Sequence, residues 1–246
     1  MTGNELATPA ELRGVTLFGG LDSAALERVA AVTKIYSRPA RSILTIGTDL
    51  PDNVICVLEG ACGLSAISPN GIFVTLLPLY EGDACGVGQL LAGYRHQAPK
   101  IIRLVVARDC RLGCIPFDDF LVLLEALPGL PLACAKLQAR MYVEIAQRYI
   151  EMGILDVRGR LVGEILRLSQ RGVREGDRVV VLSAPTHAEI AAQLGSGRET
   201  VSRILADLAK EGLVSSRRGE IVIERYKDLL AEYEAQAGRA FFLLKS

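Results

Sequence analysis

Apolar and polar positions follow different rhythms in successive parts of this chain. Over residues 22–32 the apolar residues recur at helical spacing, with Leu26 and Val29 on the inward side, which predicts a short amphipathic helix. From Ile35 to Ile115 short β-branched and apolar runs are punctuated by turn residues. The runs are 42–46, 54–58, 62–67, 72–77, 101–107 and 111–115. The punctuation is Gly47, Glu59-Gly60, Ser68-Pro69-Asn70-Gly71 and Glu81-Gly82-Asp83. Strands at this spacing predict a β-sandwich, jelly roll or barrel. Residues 117–126 then read as helix, and Pro128 and Pro131 break it. A stretch from residue 132 to about 152 has no proline and no glycine before Gly153, so it predicts one helix of about 20 residues, roughly 30 Å long. Asp156 is placed to cap a further helix over 157 to about 170, and 226–237 reads as the last one.

Residues 186–209 carry the densest local signals. Thr186 precedes Glu189 by three positions, and Ser196 precedes Glu199 by three, the spacing of two capping boxes. Gly195 between them is placed to end the first helix in a left-handed conformation. Ile190, Leu194, Val201, Leu205 and Leu208 fall on one face, while Arg198, Glu199, Ser202 and Arg203 fall on the other side of the second helix. Two short helices so arranged predict a helix-turn-helix whose second helix enters the major groove, where arginine can bind guanine bidentately and glutamate can accept from a cytosine amino group. Read without context, the same arginines are solvated charges on an ordinary helix. The context is a hairpin that follows at once: 213–216, the basic turn Arg217-Arg218-Gly219-Glu220, then 221–223, a wing suited to phosphate.

Leu137, Met141, Ile145 and Met152 line one side of the long helix. That stripe either pairs with a second copy of the chain or packs on the chain's own β domain. The pattern divides the chain into a β domain over 1–127, a long helix over 128–154 and a winged helix-turn-helix over 155–246, an α+β organisation. The apolar tail Phe241-Phe242-Leu243-Leu244 is open to either folding back or serving as a contact site.

Half of the 246 residues are hydrophobic and 23% are charged, as in globular proteins. The net charge is zero, so no global positive field draws nucleic acid to the chain. Residues 1–155 carry 13 basic and 15 acidic side chains and 156–246 carry 15 and 13, an asymmetry of the right sign but small. DNA affinity then has to come from locally placed arginines and from dimerisation. No leader-like n-region and h-region opens the chain and no run of about 18 apolar residues occurs, so the expectation is a cytoplasmic protein with no membrane partner. Six cysteines without a CxxC spacing read as reduced, mostly core residues. With His96 as the first domain's only histidine, a metal-dependent jelly-roll enzyme lacks its ligands, and neither a catalytic residue nor a metal site is expected.

A β-roll, a long helix and a winged helix-turn-helix, in that order, resemble the Crp–Fnr superfamily of bacterial transcription regulators almost end to end. The most specific segment is Arg198-Glu199-Thr200-Val201-Ser202-Arg203, which resembles that family's recognition-helix core. Leu155-Asp156-Val157-Arg158-Gly159-Arg160-Leu161 resembles its hinge, and Gly47, Glu59-Gly60 and Gly82-Asp83 fall where its turn glycines are expected. The resemblance implies that 1–127 is a double-stranded β-helix (jelly-roll) effector domain and 128–154 a dimerisation helix, in a homodimer on double-stranded palindromic DNA, with RNA polymerase as a further partner if the protein activates. It implies base contacts from Arg198, Glu199, Ser202 and Arg203, and phosphate contacts from Thr186, Ser196, Thr200, Arg217 and Arg218. Its effector pocket maps onto Gly86, Val87, Lys100, Ile101, Ile145 and Ala146, where the carboxylate and hydroxyls that hold cAMP are missing. Each lost buried hydrogen-bond partner costs about 1–3 kcal/mol, which argues against cAMP. No cysteine precedes Cys56, which argues against an iron–sulfur cluster. Haem, through Cys85 or His96 with Val87, Ile101 and Ile145 as walls, stays open, as do a thiol switch through Cys110 or Cys114 or another cysteine, a different small ligand, and no ligand. An interaction scaffold that uses Phe241 and Phe242 is the remaining alternative from another class.

Overall fold

The computed structural model describes residues 5–50, 52–68, 73–94, 101–217 and 219–239. The chain divides into two units, Met1–Tyr142 and Val143–Ser246.

The first unit is built on an antiparallel sheet of β1 (Lys34–Arg38), β2 (Ile43–Thr45), β3 (Asn53–Ile67), β4 (Phe73–Tyr80), β5 (Ala84–Cys85) and β6 (Ile102–Pro116). β3 and β6 are each 15 residues long and pair from Asn53 opposite Pro116 to Ala66 opposite Ile102. The sequence pattern predicts two strands on either side of Glu59-Gly60 and two across 101–115. The structure instead joins each pair into one bent strand. Gly60 has φ +91, and a Cβ there would run into the Asp109 carbonyl, so the glycine allows the strand to bend where β6 crosses closest. The ladder register shifts on both sides of it.

Successive side chains of β3 point to opposite faces, and both faces are covered. Ile55 and Val57 enter the interior of the roll with Leu44, Leu77, Leu79, Leu104 and Leu112. Val54 and Cys56 enter a second core against the helices. That explains the unbroken apolar run at 54–58, which a half-exposed strand would not show. The helices are α1 (Pro9–Arg13), α2 (Ser23–Ala30), α3 (Val87–Leu91) and α4 (Phe117–Ala126), followed by α5 (Leu130–Ile154). The sequence pattern had predicted neither α1 nor α3, each only five residues long and too short to show periodicity.

α5 is longer than expected because Pro131 lies in its first turn, where the missing N–H has no intrahelical partner to lose. The predicted stripe along it is not continuous. Leu137 and Met141 pack against the two cores of their own unit. Ile145 and Met152 are exposed, as are Tyr142 and Tyr149 at 74% and 78%. Ala135, Tyr142 and Tyr149, seven residues apart, are also exposed along α5.

The second unit comprises the end of α5, then α6 (Val157–Ser169), β7 (Val173–Glu175), β8 (Arg178–Leu182), α7 (His187–Leu194), α8 (Arg198–Lys210), β9 (Val214–Arg217), β10 (Glu220–Ile223) and α9 (Tyr226–Ala237). Asp156 caps α6 by accepting from the Gly159 N–H at 2.8 Å, as its position predicts. The sheet order is β7-β8-β10-β9, so the wing is one edge of four strands. The β7–β8 hairpin was not expected, although Glu175-Gly176-Asp177 repeats the turn signal of Glu81-Gly82-Asp83.

A buried ionic cluster joins α5, α6 and α9. Arg167 donates to both oxygens of Glu151 at 2.7 and 2.9 Å and to Glu164 at 3.0 Å. Arg148 pairs with Glu164 at 2.8 Å. The Tyr233 hydroxyl donates to Glu151 at 2.7 Å and accepts from Gln147 at 2.9 Å. Burial alone would push the Glu164 carboxyl up, but Arg148 and Arg167 outweigh it and hold the carboxyl below its ordinary value. Among the described residues no single helix is long and apolar enough to cross a membrane.

Candidate nucleic-acid interface

α7 begins at a complete capping box. The Thr186 hydroxyl accepts from the Glu189 N–H at 3.3 Å, and the Glu189 carboxylate accepts from the Thr186 N–H at 2.6 Å. Gly195 closes the helix with φ +59, a conformation that strains any residue with a Cβ. Ile190, Ala191 and Leu194 of α7 pack with Val201, Ile204, Leu205 and Leu208 of α8 on the buried side of the pair.

The second capping box does not form. Gly197, not Ser196, is the N-cap of α8, and no side chain bonds the first turn. The αL residue Gly195 leaves room for one more residue in the turn, which moves the helix start past Ser196. The first amides of α8 are therefore open to an anionic partner, and Glu199 is not drawn back to the cap.

Arg198, Glu199 and Arg203 are exposed and Ser202 is half-buried, all within one sector of α8 opposite its apolar side. Among the described residues none of the three charged side chains enters an ion pair. Elsewhere in this unit the arginines are engaged: Arg158 with Glu211 and Glu232 at 2.6 and 2.7 Å, Arg178 with Glu224, and Arg225 with Asp228. Of the phosphate candidates, Thr186 and Arg217 are exposed, and Ser196 and Thr200 are half-buried. Arg217 stands at the end of β9 opposite Glu220, while Arg218 lies outside the described residues.

One residue of this surface was missed. The His187 ring, in the first turn of α7, places Nδ1 2.8 Å from Ser202 Oγ on α8 and Nε2 3.4 Å from Ser216 Oγ on β9. The only signal for it in the sequence is a histidine directly after a capping threonine, because the contact depends on how α7, α8 and the wing pack.

The expected effector residues fall in both units. Gly86 has φ +93, and a Cβ there would run into the Asn53 carbonyl. Val87 is fully buried in the core shared with the helices, so it fills that core rather than facing a ligand. Ile101 is exposed just ahead of β6. Ile145 and Ala146 belong to the second unit. Lys100 and His96 lie outside the described residues, as do Phe241 and Phe242. A cleft of about 250 Å³ opens elsewhere in the first unit, between Thr16, Leu17, Leu21 and the Leu132–Arg140 part of α5.

All six cysteines are buried. Burial pushes the Cys85 and Cys114 thiols to about 12, which disfavours the thiolate that would bind haem iron. Cys110 and Cys114, four residues apart on β6, are separated by roughly 13 Å at strand rise, too far for a disulfide. Cys62, on the neighbouring strand, is the thiol in hydrogen-bond contact with Cys110. Among the described residues no three histidine, cysteine or acidic side chains converge as metal ligands would.

Comparison with known proteins points the same way as the geometry. Residues 159–232 match the Crp-like helix-turn-helix domain family. The chain is 29% identical over 187 residues to the transcriptional regulator SdrP of Thermus thermophilus, covering 75% of this chain and 87% of that one. It is 28% identical over 215 residues to the cyclic AMP receptor protein of the same organism, covering 86% and 94%. A crystal structure of a CRP/FNR-family transcriptional regulator from Thermus thermophilus superimposes with a TM-score of 0.61 and 26% identity, over 82% of this chain and 99% of that one.

Proposed function

This chain belongs to the Crp–Fnr superfamily of transcription regulators, and from that premise we propose that it binds a palindromic DNA site as a homodimer. The reading rests on Arg198, Glu199 and Arg203, in no ion pair among the described residues, and on Ser202 beside them, presented by a helix whose opposite side is buried. α8 lies in the major groove, with its open first amides and Thr186, Ser196 and Thr200 near the backbone and Arg217 and Arg218 on the wing side. The exposed seam on α5, centred on Tyr142 and Tyr149, pairs with that of a second copy, so that two recognition helices meet half-sites about one helical turn apart. The protein acts by binding, not by catalysis, and recruits RNA polymerase if it activates.

Its sensing differs from cAMP reception by the usual contacts. At the positions that would hold the cyclic phosphate and base, the chain offers Gly86, a buried Val87, Ile101, Ile145 and Ala146, none with a side-chain carboxylate or hydroxyl. Titration calorimetry with cAMP is expected to give no heat at micromolar protein.

The deciding experiment is selection from random duplex DNA by the purified protein, with sedimentation to give its oligomeric state. A two-fold symmetric consensus bound by a dimer is expected. Binding without sequence preference overturns the reading.

A further inference from the structure

The imidazole of His187 touches hydroxyls on two different elements, one of them on the base-reading face. Ser202 Oγ lies 2.8 Å from Nδ1, and Ser216 Oγ lies 3.4 Å from Nε2. A serine hydroxyl can donate or accept, and its proton rotates to suit its neighbours. A neutral imidazole has one donor and one acceptor nitrogen, whereas an imidazolium has two donors. When Nδ1 accepts, the Ser202 proton is turned toward the ring and the oxygen's lone pairs are left for the base edge. When Nδ1 donates, the ring occupies a lone pair and the Ser202 proton is free to donate outward.

We infer that His187 is a positioning residue that sets the donor or acceptor polarity with which Ser202 meets a base. This rests on the DNA-reading function proposed above and deepens it. An accepting Ser202 favours an amino group, the N4 of cytosine or the N6 of adenine. A donating Ser202 favours guanine O6 or N7, or thymine O4. The contact to Ser216 on β9 ties the same ring to the wing, so the position of the wing and the hydroxyl on α8 are linked through one side chain.

The ring is half-buried. On its own helix Glu189 is engaged with the Thr186 N–H. The exposed charged residues near the positions of Ser202 and Ser216 in the chain are Arg198, Glu199 and Arg203 on α8 and Arg217 on β9. Among the described residues none of them forms an ion pair with the imidazole. Protonation therefore converts Nδ1 into a donor, and acid favours the donating form of Ser202.

The test measures binding of the full chain, by fluorescence anisotropy, to duplexes that differ at one base pair per half-site, at pH values of about 5.5 and 8. Wild type is expected to change its preference at a single base pair with pH. Ser202→Ala should abolish discrimination there, His187→Ala should weaken it about fivefold, and the double variant should be no worse than Ser202→Ala. His187→Asn, whose amide can still reach Ser202 but does not titrate, should keep a preference that no longer varies with pH. Preferences at other base pairs and the salt dependence should stay as in wild type. If His187→Ala keeps every preference, or weakens all duplexes equally with a shallower salt dependence, the inference is overturned while the DNA-reading function stands. If wild type shows no base preference at all, that function falls and the inference with it.

Discussion

Arginine does two opposite things within one unit of this protein. Arg167 is 7% exposed in its side chain, held between Glu151 and Glu164, and spends its charge inside the fold. Arg198 and Arg203, on α8, are exposed and outside any ion pair among the described residues. A desolvated cation with two carboxylates is locked in place, because removing any member leaves the others buried and uncompensated. A solvated cation costs nothing to leave free, and it keeps its donors for a partner. The contrast separates the residues that hold α5, α6 and α9 together from those left free for a partner, DNA in the function proposed above.

The largest effect should come from breaking the buried side of this contrast. Arg167→Ala leaves Glu151 and Glu164 buried with fewer partners and should cost about 3–5 kcal/mol of stability, read from the urea midpoint. Acid should reach the same cluster. Because the folded state holds the Glu164 carboxyl below its ordinary value, its contribution is fully present above the unfolded value and is lost as pH falls through the lower, folded one. Urea midpoints from pH 7 downward should therefore drop in that acid range, and Glu164→Gln should flatten that limb.

The exposed side should respond in binding and not in stability. Arg203→Ala should lose about 1–3 kcal/mol of discrimination at one base pair of each half-site while the melting curve stays unchanged. A loss of stability equal to that of Arg167→Ala would mean that the two classes of arginine are not distinct. Next in size, Tyr149→Lys should shift sedimentation toward monomer without unfolding the chain, since Tyr149 is 78% exposed. The smallest effects separate the two caps. Thr186→Ala should cost about 1 kcal/mol, whereas Ser196→Ala should leave stability nearly unchanged because Gly197 caps α8. Thermal denaturation of the pair checks both.

Much of this architecture was legible from local pattern. The helix-turn-helix was readable because its face is set by residues three and four apart, and Thr186-Glu189 and Gly195 act within a single turn. The α6 cap at Asp156 and the wing strands were readable for the same reason. The strand breaks were misread because Gly60 bends a strand as readily as it ends one, and only the approach of Asp109 from β6 distinguishes the two. Which side of α5 its own unit leaves bare was not legible, because Leu137 and Tyr142 both read as apolar. What decides between them is that the two cores of the β-roll cover Leu137 and Met141 and leave Tyr142 and Tyr149 bare.

What the sequence determined by itself was therefore the kind of each element, its order and the side on which α8 carries its charges, since hydrophobic period and capping act within a few residues. The tertiary structure alone decided which charges are neutralised and which polar groups meet. Glu151, Arg167 and Tyr233 are 16 and 66 residues apart along the chain, and His187 and Ser202 lie on different helices. Hydrogen bonds of 2.7–2.9 Å tolerate little error in placement, so such pairs exist only after packing has fixed the helices that carry them.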